Sequence, residues 1–287
     1  MIPPGYRGHA EVEQALARLG GRAIGCSVQG SPMVAVTFGP ASAPRASLVI
    51  AGLHAIEWIG VETALALCDR LAAAPPLDRR ITVVALANPD GYRRIEADLA
   101  AGRRRFRRTN ANGVDLNRNW GTDFLPRPRW ISGFNWPGPA PSSEPEVAAV
   151  LAALDVEVAS GAVVDTALSL HSFGRKLLLP YGGRWRRPVR YRELYERAVR
   201  VQSRLAERYT IDQVSHWMPG AFVYGMEIDE LHERYGACAL LVECAFGGQS
   251  LGEPARWLEP FYWYNPRRPS LVAGDLARAL EPFVRGS

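Results

Sequence analysis

His54 and Glu57, three apart in Gly52-Leu53-His54-Ala55-Ile56-Glu57-Trp58, are the first residues in the chain whose types could share a metal ion. Zinc accepts imidazole nitrogen and carboxylate oxygen at similar distances, so the pair is a sensible half-site. An H-x-x-E pair alone is common by chance and usually binds nothing. A zinc hydrolase also needs a third protein ligand and an open position for water. The chain has five histidines: His9, His54, His171, His216 and His232. His9 precedes the first helical segment. His232 lies in the charged run Glu230-Leu231-His232-Glu233, which reads as a solvated face. His171 ends an apolar run as His54 does, and it is the natural third ligand. Standing alone it would read as a core histidine. No H-E-x-x-H occurs, which excludes a thermolysin-like arrangement.

The elements that must position these groups are strands ending in turns. Residues 47–51 form an apolar run before His54, and residues 60–68 have the pattern of a helix after it. Ligands of open α/β sheets collect at such carboxyl ends. Residues 81–87 read as a second buried strand, ending in the turn signal Asn88-Pro89-Asp90-Gly91-Tyr92. From there to Pro141 the chain reads as long and irregular, and a loop of that length in a compact domain is usually functional. Strand-like runs at 163–170 and 237–243 end at His171 and Glu243. Residues 22–28 and 33–38 read as a hairpin, and helices are expected over 11–19, 144–158, 191–209 and 270–284. This alternation predicts an α/β fold. One domain over 1–287 would carry a central mixed, mostly parallel sheet flanked by helices on both faces.

With 287 residues, 47% hydrophobic, the chain can bury a large core. The net charge of +5 comes mainly from arginine, densest over 103–108. Such a run reads as a solvated loop, a wall for an anionic ligand, or a nucleic-acid stripe. The four cysteines, Cys26, Cys68, Cys238 and Cys244, form no C-x-x-C pair and read as buried free thiols, which suits the reducing cytoplasm. No secretory leader is evident, and no apolar run approaches the ~20 residues of a membrane span.

The motifs His54-x-x-Glu57, Asn88-Pro89-Asp90-Gly91-Tyr92, Phe106-Arg107-Arg108-Thr109, Gly113-Val114-Asp115-Leu116-Asn117-Arg118-Asn119-Trp120, Ser143-Glu144-Pro145-Glu146, His171-Ser172, Pro180-Tyr181-Gly182 and Glu243 occur in one order. Together the sequence resembles the zinc carboxypeptidases of the pancreatic carboxypeptidase A type, from about Glu11 to the last helix. The resemblance implies one zinc per chain on His54, Glu57 and His171. It implies Glu243 as general base and Arg107 beside the metal as oxyanion partner. Asn117 and Arg118 would hold the substrate's terminal carboxylate, whose planar geometry a guanidinium fork matches. The arginine run then becomes an active-site wall, with no nucleic-acid or membrane partner expected.

Three positions depart from the family pattern. The lid tyrosine should fall within 214–218, where the sequence has Val214-Ser215-His216-Trp217-Met218; Trp217 offers bulk without a hydroxyl. The residue reading the substrate's terminal side chain should fall near Ala221-Phe222-Val223, so Phe222 is the candidate and an apolar preference follows. Ile56 replaces an arginine common in digestive members. A member without a propeptide is expected, like the family's intracellular bacterial relatives. The expected activity is release of a C-terminal amino acid. The alternative is a zinc amidase or deacylase of the same fold, acting on murein peptides or N-acyl amino acids. A non-catalytic binding module is disfavoured because every expected ligand and the base are present.

Overall fold

A computed structural model describes residues 1–217, 220–249, 252 and 254–287. The described strands are β1 (Arg22–Cys26), β2 (Pro32–Phe38), β3 (Arg45–Ala51), β4 (Arg79–Val84), β5 (Val163–His171), β6 (Lys176–Leu179), β7 (Thr210–Gln213) and β8 (Cys238–Glu243). They form one sheet in the order β1-β2-β4-β3-β5-β8-β6-β7. The centre, β4-β3-β5-β8, is parallel throughout, and β6 pairs β7 in parallel. The β1–β2, β2–β4 and β6–β8 pairs are antiparallel.

The central strands read as unbroken apolar runs because both of their faces are covered. Successive side chains alternate between two cores. Val49, Leu168 and Leu240 face one, packed under helices Trp58–Ala73, Tyr191–Gln202 and Pro269–Val284. Leu48, Ala167 and Leu241 face the other, under helices Pro145–Ala159 and Glu227–Tyr235. Gly60 lets helix Trp58–Ala73 lie against β5, since a Cβ there would stand 2.7 Å from the Leu170 carbonyl oxygen. That contact seats the His54–Glu57 turn beside the end of β5. No described helix is long and apolar enough to cross a membrane.

The expected sheet and helices on both faces are present, but several local expectations change. Asn88-Pro89 opens helix Pro89–Ala100 inside the stretch read as irregular. The Asn88 side chain caps it by accepting from Gly91 N at 2.9 Å, and Pro89 fills the first turn. Helix starts and tight turns draw on the same residues, so the motif has two readings. The helix from Tyr191 stops at Gln202, whose Nε2 donates to Tyr209 O at 2.6 Å. Cys26 is exposed, unlike the other three cysteines. His232 is buried and its Nδ1 lies 2.9 Å from Ala237 O, and Glu230 is buried too, so of the charged run around it only Glu233 is solvated.

Candidate metal and catalytic site

Three strand ends build the site. The turn after β3 carries His54 and Glu57, β5 ends at His171, and β8 ends at Glu243. Parallel pairing sets His171 directly opposite Glu243. His54 Nδ1 lies 3.0 Å from His171 Nδ1, and the Glu57 oxygens lie 2.8 Å from the former and 3.0 Å from the latter. His54, Glu57 and His171 are the one grouping of metal-type ligand atoms among the described residues. All three side chains are buried.

The donor set suits zinc. Two imidazole lone pairs and a carboxylate this close together repel unless positive charge lies among them. Zinc–nitrogen bonds of about 2.0–2.1 Å at tetrahedral angles place two ligand nitrogens roughly 3.3 Å apart, near the spacing seen. The outward nitrogens are also held: His54 Nε2 lies 3.1 Å from Asp115 Oδ1, and His171 Nε2 lies 3.0 Å from Glu227 Oε1. Buried carboxylates behind ligand imidazoles fix the tautomer that leaves Nδ1 free for a metal. Burial disfavours charge on both Glu57 and His171, yet the partners win. The two imidazoles hold the Glu57 carboxyl well below its usual range, and chiefly Glu227 lifts His171 to about 10. This cluster draws positive charge strongly.

A cavity of about 210 Å³ opens over the set, lined also by Arg108, Asn117, Arg118, Glu243 and Tyr264. Glu243 Oε2 is enclosed and has no hydrogen-bond partner. Burial, with repulsion from Glu57, raises its pKa to about 8, against the pull of His171 and Arg108. Arg118 donates to Asn117 O at 2.5 Å, and no carboxylate pairs with it among the described residues. Gly225 makes room for it: at φ +67°, a Cβ there would stand 2.3 Å from Arg118 O. Asn117 Oδ1 accepts from Glu227 N at 3.2 Å, which ties the arginine's segment to the helix behind His171.

Two expected residues stand elsewhere. Arg107 is turned away and ion-paired to Asp98. The guanidinium at the site is that of Arg108, with Nε 2.8 Å from Asp115 Oδ2 and Nη1 3.7 Å from Glu57 Oε1. Phe222 faces a neighbouring cleft, while Val223 and Met226 line the metal cavity. Trp217 lines the cavity as well, and Met218 lies outside the described residues. The arginine run is largely paired: Arg103 and Arg107 with Asp98, Arg104 with Glu259, Arg108 with Asp115.

The sequence profile of the family described as zinc carboxypeptidase matches residues 18–237. The chain belongs to the zinc carboxypeptidase family. Mouse (Mus musculus) carboxypeptidase A2 is 30% identical over 201 residues, covering 63% of this chain and 46% of that protein. Human (Homo sapiens) carboxypeptidase A5 is 29% identical over 200 residues, covering 61% and 43%. The chain thus spans about half the length of these relatives. Among solved structures, carboxypeptidase A from Helicoverpa armigera superposes with a TM-score of 0.78 at 18% identity, covering 98% of this chain and 74% of that one. Murein-tripeptide amidase MpaA from Escherichia coli O157 gives 0.52 at 22% identity, covering 90% and 91%.

For this member of the family, sequence reasoning missed Asp115, Glu227, Arg108 and Tyr264. Asp115 stood in a quoted motif but carried no role. Arg108 stood next to the residue chosen. Glu227 lay just before the charged run read as solvated and carried no role. Only the fold brings Tyr264, near the C-terminus, to the metal turn.

Proposed function

We propose that the chain removes a C-terminal amino acid from peptides carrying a free carboxylate. One observation carries this reading: Arg118, which has no acidic ion-pair partner among the described residues, shares a cavity with the metal-ligand set and Glu243. Leu178, Val214, Val223, Met226 and Leu241 give that cavity an apolar wall, which favours an apolar leaving residue.

Zinc on His54, Glu57 and His171 would supply Lewis acidity toward the scissile carbonyl and a water of lowered pKa. Arg118, with Asn117, grips the terminal carboxylate and so fixes which peptide bond reaches the metal. Glu243 takes the proton of the attacking water at Oε2 and passes it to the leaving nitrogen. A raised pKa suits a group that must both accept and release. Arg108 stands beside the ligand carboxylate, placed to stabilise negative charge growing on the carbonyl oxygen. Asp115 positions both Arg108 and His54. The pairing of the arginine run speaks against a phosphate-binding stripe. Free cysteines favour a reducing compartment such as the cytoplasm.

A second reading, amide hydrolysis of murein peptides or N-acyl amino acids, is favoured by two observations. No tyrosine stands at 214–217, and the likeness to the murein-tripeptide amidase runs nearly end to end in both chains. The deciding experiment follows hydrolysis of blocked dipeptides, their C-terminal amides, N-acyl amino acids and a murein tripeptide, with Arg118→Ala alongside. The variant should lose roughly 100-fold on free-carboxylate peptides, about 3 kcal/mol for a charged pair, and little on amides. Equal loss on both would overturn the carboxylate reading. Preference for the murein tripeptide or N-acyl substrates would select the second.

A further inference from the structure

The geometry points to the Tyr264 hydroxyl as a hydrogen-bond donor to the reacting carbonyl oxygen, working beside Arg108; this rests on the hydrolase reading above. Tyr264 is the one tyrosine lining the metal cavity among the described residues, together with His54, Glu57, Arg108, His171 and Glu243. No described group hydrogen-bonds its hydroxyl, whereas Tyr181 and Tyr92 spend theirs on Glu233 and Arg7 O.

The chain around Tyr264 is fastened from two sides. Its carbonyl oxygen accepts from Ser172 Oγ, next to the ligand His171. The following residue, buried Asn265, donates from Nδ2 to Ile56 O at 2.7 Å and accepts at Oδ1 from Ile59 N at 3.0 Å. Both belong to the turn bearing Glu57 and the helix it starts. A second Nδ2 bond, to Phe261 O at 2.8 Å, closes the short helix Phe261–Tyr264. The ring is bracketed by Phe173, edge-on at 5.3 Å, and Phe106 at 5.7 Å. A side chain held at backbone and ring has few other directions for its hydroxyl.

The charges around the phenol suit a donor. Burial and the Glu57 carboxylate raise its pKa, Arg108 opposes them, and Glu243 adds to the rise. Near neutral pH it keeps its proton, and a protonated phenol facing a cavity needs an acceptor to replace water. The substrate brings carbonyl oxygens, and the one beside Arg108 gains negative charge during reaction. A donor there is worth more in the transition state than in the ground state. The chain thus draws a phenol from its C-terminal segment, while described positions 214–217 supply none.

The test is Tyr264→Phe in the zinc-loaded enzyme, with Tyr224→Phe, on the neighbouring cleft, as control. The expected result is a fall in kcat of about 10- to 100-fold, the worth of one hydrogen bond to a charged acceptor, with KM within about twofold. Affinity for a phosphonate peptide, which mimics the tetrahedral oxyanion, should weaken by the same factor in calorimetry. Zinc content and Tm should stay at wild-type values, and Tyr224→Phe should behave as wild type. Unchanged kcat and phosphonate affinity, or a rise in KM alone, would overturn the proposal. Glu243→Gln separates the two levels. If it too leaves turnover intact, the hydrolase reading itself fails; if it abolishes turnover while Tyr264→Phe does nothing, only the Tyr264 proposal falls.

Discussion

Replacing Asp115 by asparagine should loosen zinc and destabilise the fold through two separable routes. Asp115 is fully buried and meets three partners: His54 Nε2 at 3.1 Å, Arg108 Nε at 2.8 Å and Asn117 N at 3.0 Å. Its charge is well matched. Burial works against the ionised form, yet Arg108, Arg118 and His54 hold the carboxyl well below its usual range. Asparagine keeps one acceptor oxygen for those donors and turns an amide N–H₂ toward at least one of them. If the amide faces His54, the imidazole must present a lone pair at Nε2, and its proton moves to Nδ1, the metal-facing nitrogen. Loss of such an outer partner typically costs 10- to 100-fold in metal affinity, or about 1.4–2.8 kcal/mol. Arg108, partly buried, keeps the Glu57 carboxylate at 3.7 Å as its ion-pair partner among the described residues. Weakening this mostly buried ion pair costs up to about 3 kcal/mol of stability. Zinc affinity is read by competition with a chromophoric chelator, and stability by urea melts of the metal-free protein. A zinc Kd within about twofold of wild type would refute the outer-partner reasoning, whatever happened to stability.

Arg108→Ala should lower kcat by about 100-fold, while Arg107→Ala stays near wild type; steady-state assays on one peptide decide, and the reverse order would restore Arg107. Gly225→Ala should strain a left-handed residue by about 1–2 kcal/mol and push the Arg118 backbone, so KM for free-carboxylate peptides rises and Tm falls. Asp229 gives a pH prediction. Burial outweighs the Gly182 and Gly183 amides and raises its pKa to about 7. Between the ordinary aspartate value and about 7 the native state binds more protons than the unfolded one, so this residue's contribution to stability falls as pH rises. Urea melts from pH 4.5 to 8 should show Asp229→Asn gaining on wild type across that window; a constant difference would count against it.

The strands bearing the ligands were readable because a strand covered on both faces must be apolar along its whole length. Their last residues, His54 just beyond one and His171 and Glu243 at the ends of two others, stood out against that background. The choices that failed lie between chain neighbours. Residues 107 and 108 are both arginine in irregular chain, and which one turns inward depends on where Asp98 and Asp115 stand in space. Phe222 and Val223 differ in the same way. The run 230–233 misled because its charges look solvated, yet Glu230 is buried against Thr122, and Glu227 and Asp229 before it are buried against His171 and the Gly182 and Gly183 amides. A composition window sees the acids and not the partners that make burial affordable. Tyr264 had no local signal, because its importance comes from Asn265 gripping a turn 209 residues earlier.

The two ligand imidazoles lie 117 residues apart along the chain and meet only once β3 and β5 are paired. An unfolded polypeptide therefore owns no comparable coordination pocket, and the ion recognises the native state almost alone. Each tenfold excess of free zinc over its dissociation constant should deepen the native well by about 1.4 kcal/mol. A chelator that strips the metal should therefore lower the melting temperature of the polypeptide and hasten its cleavage by an added protease.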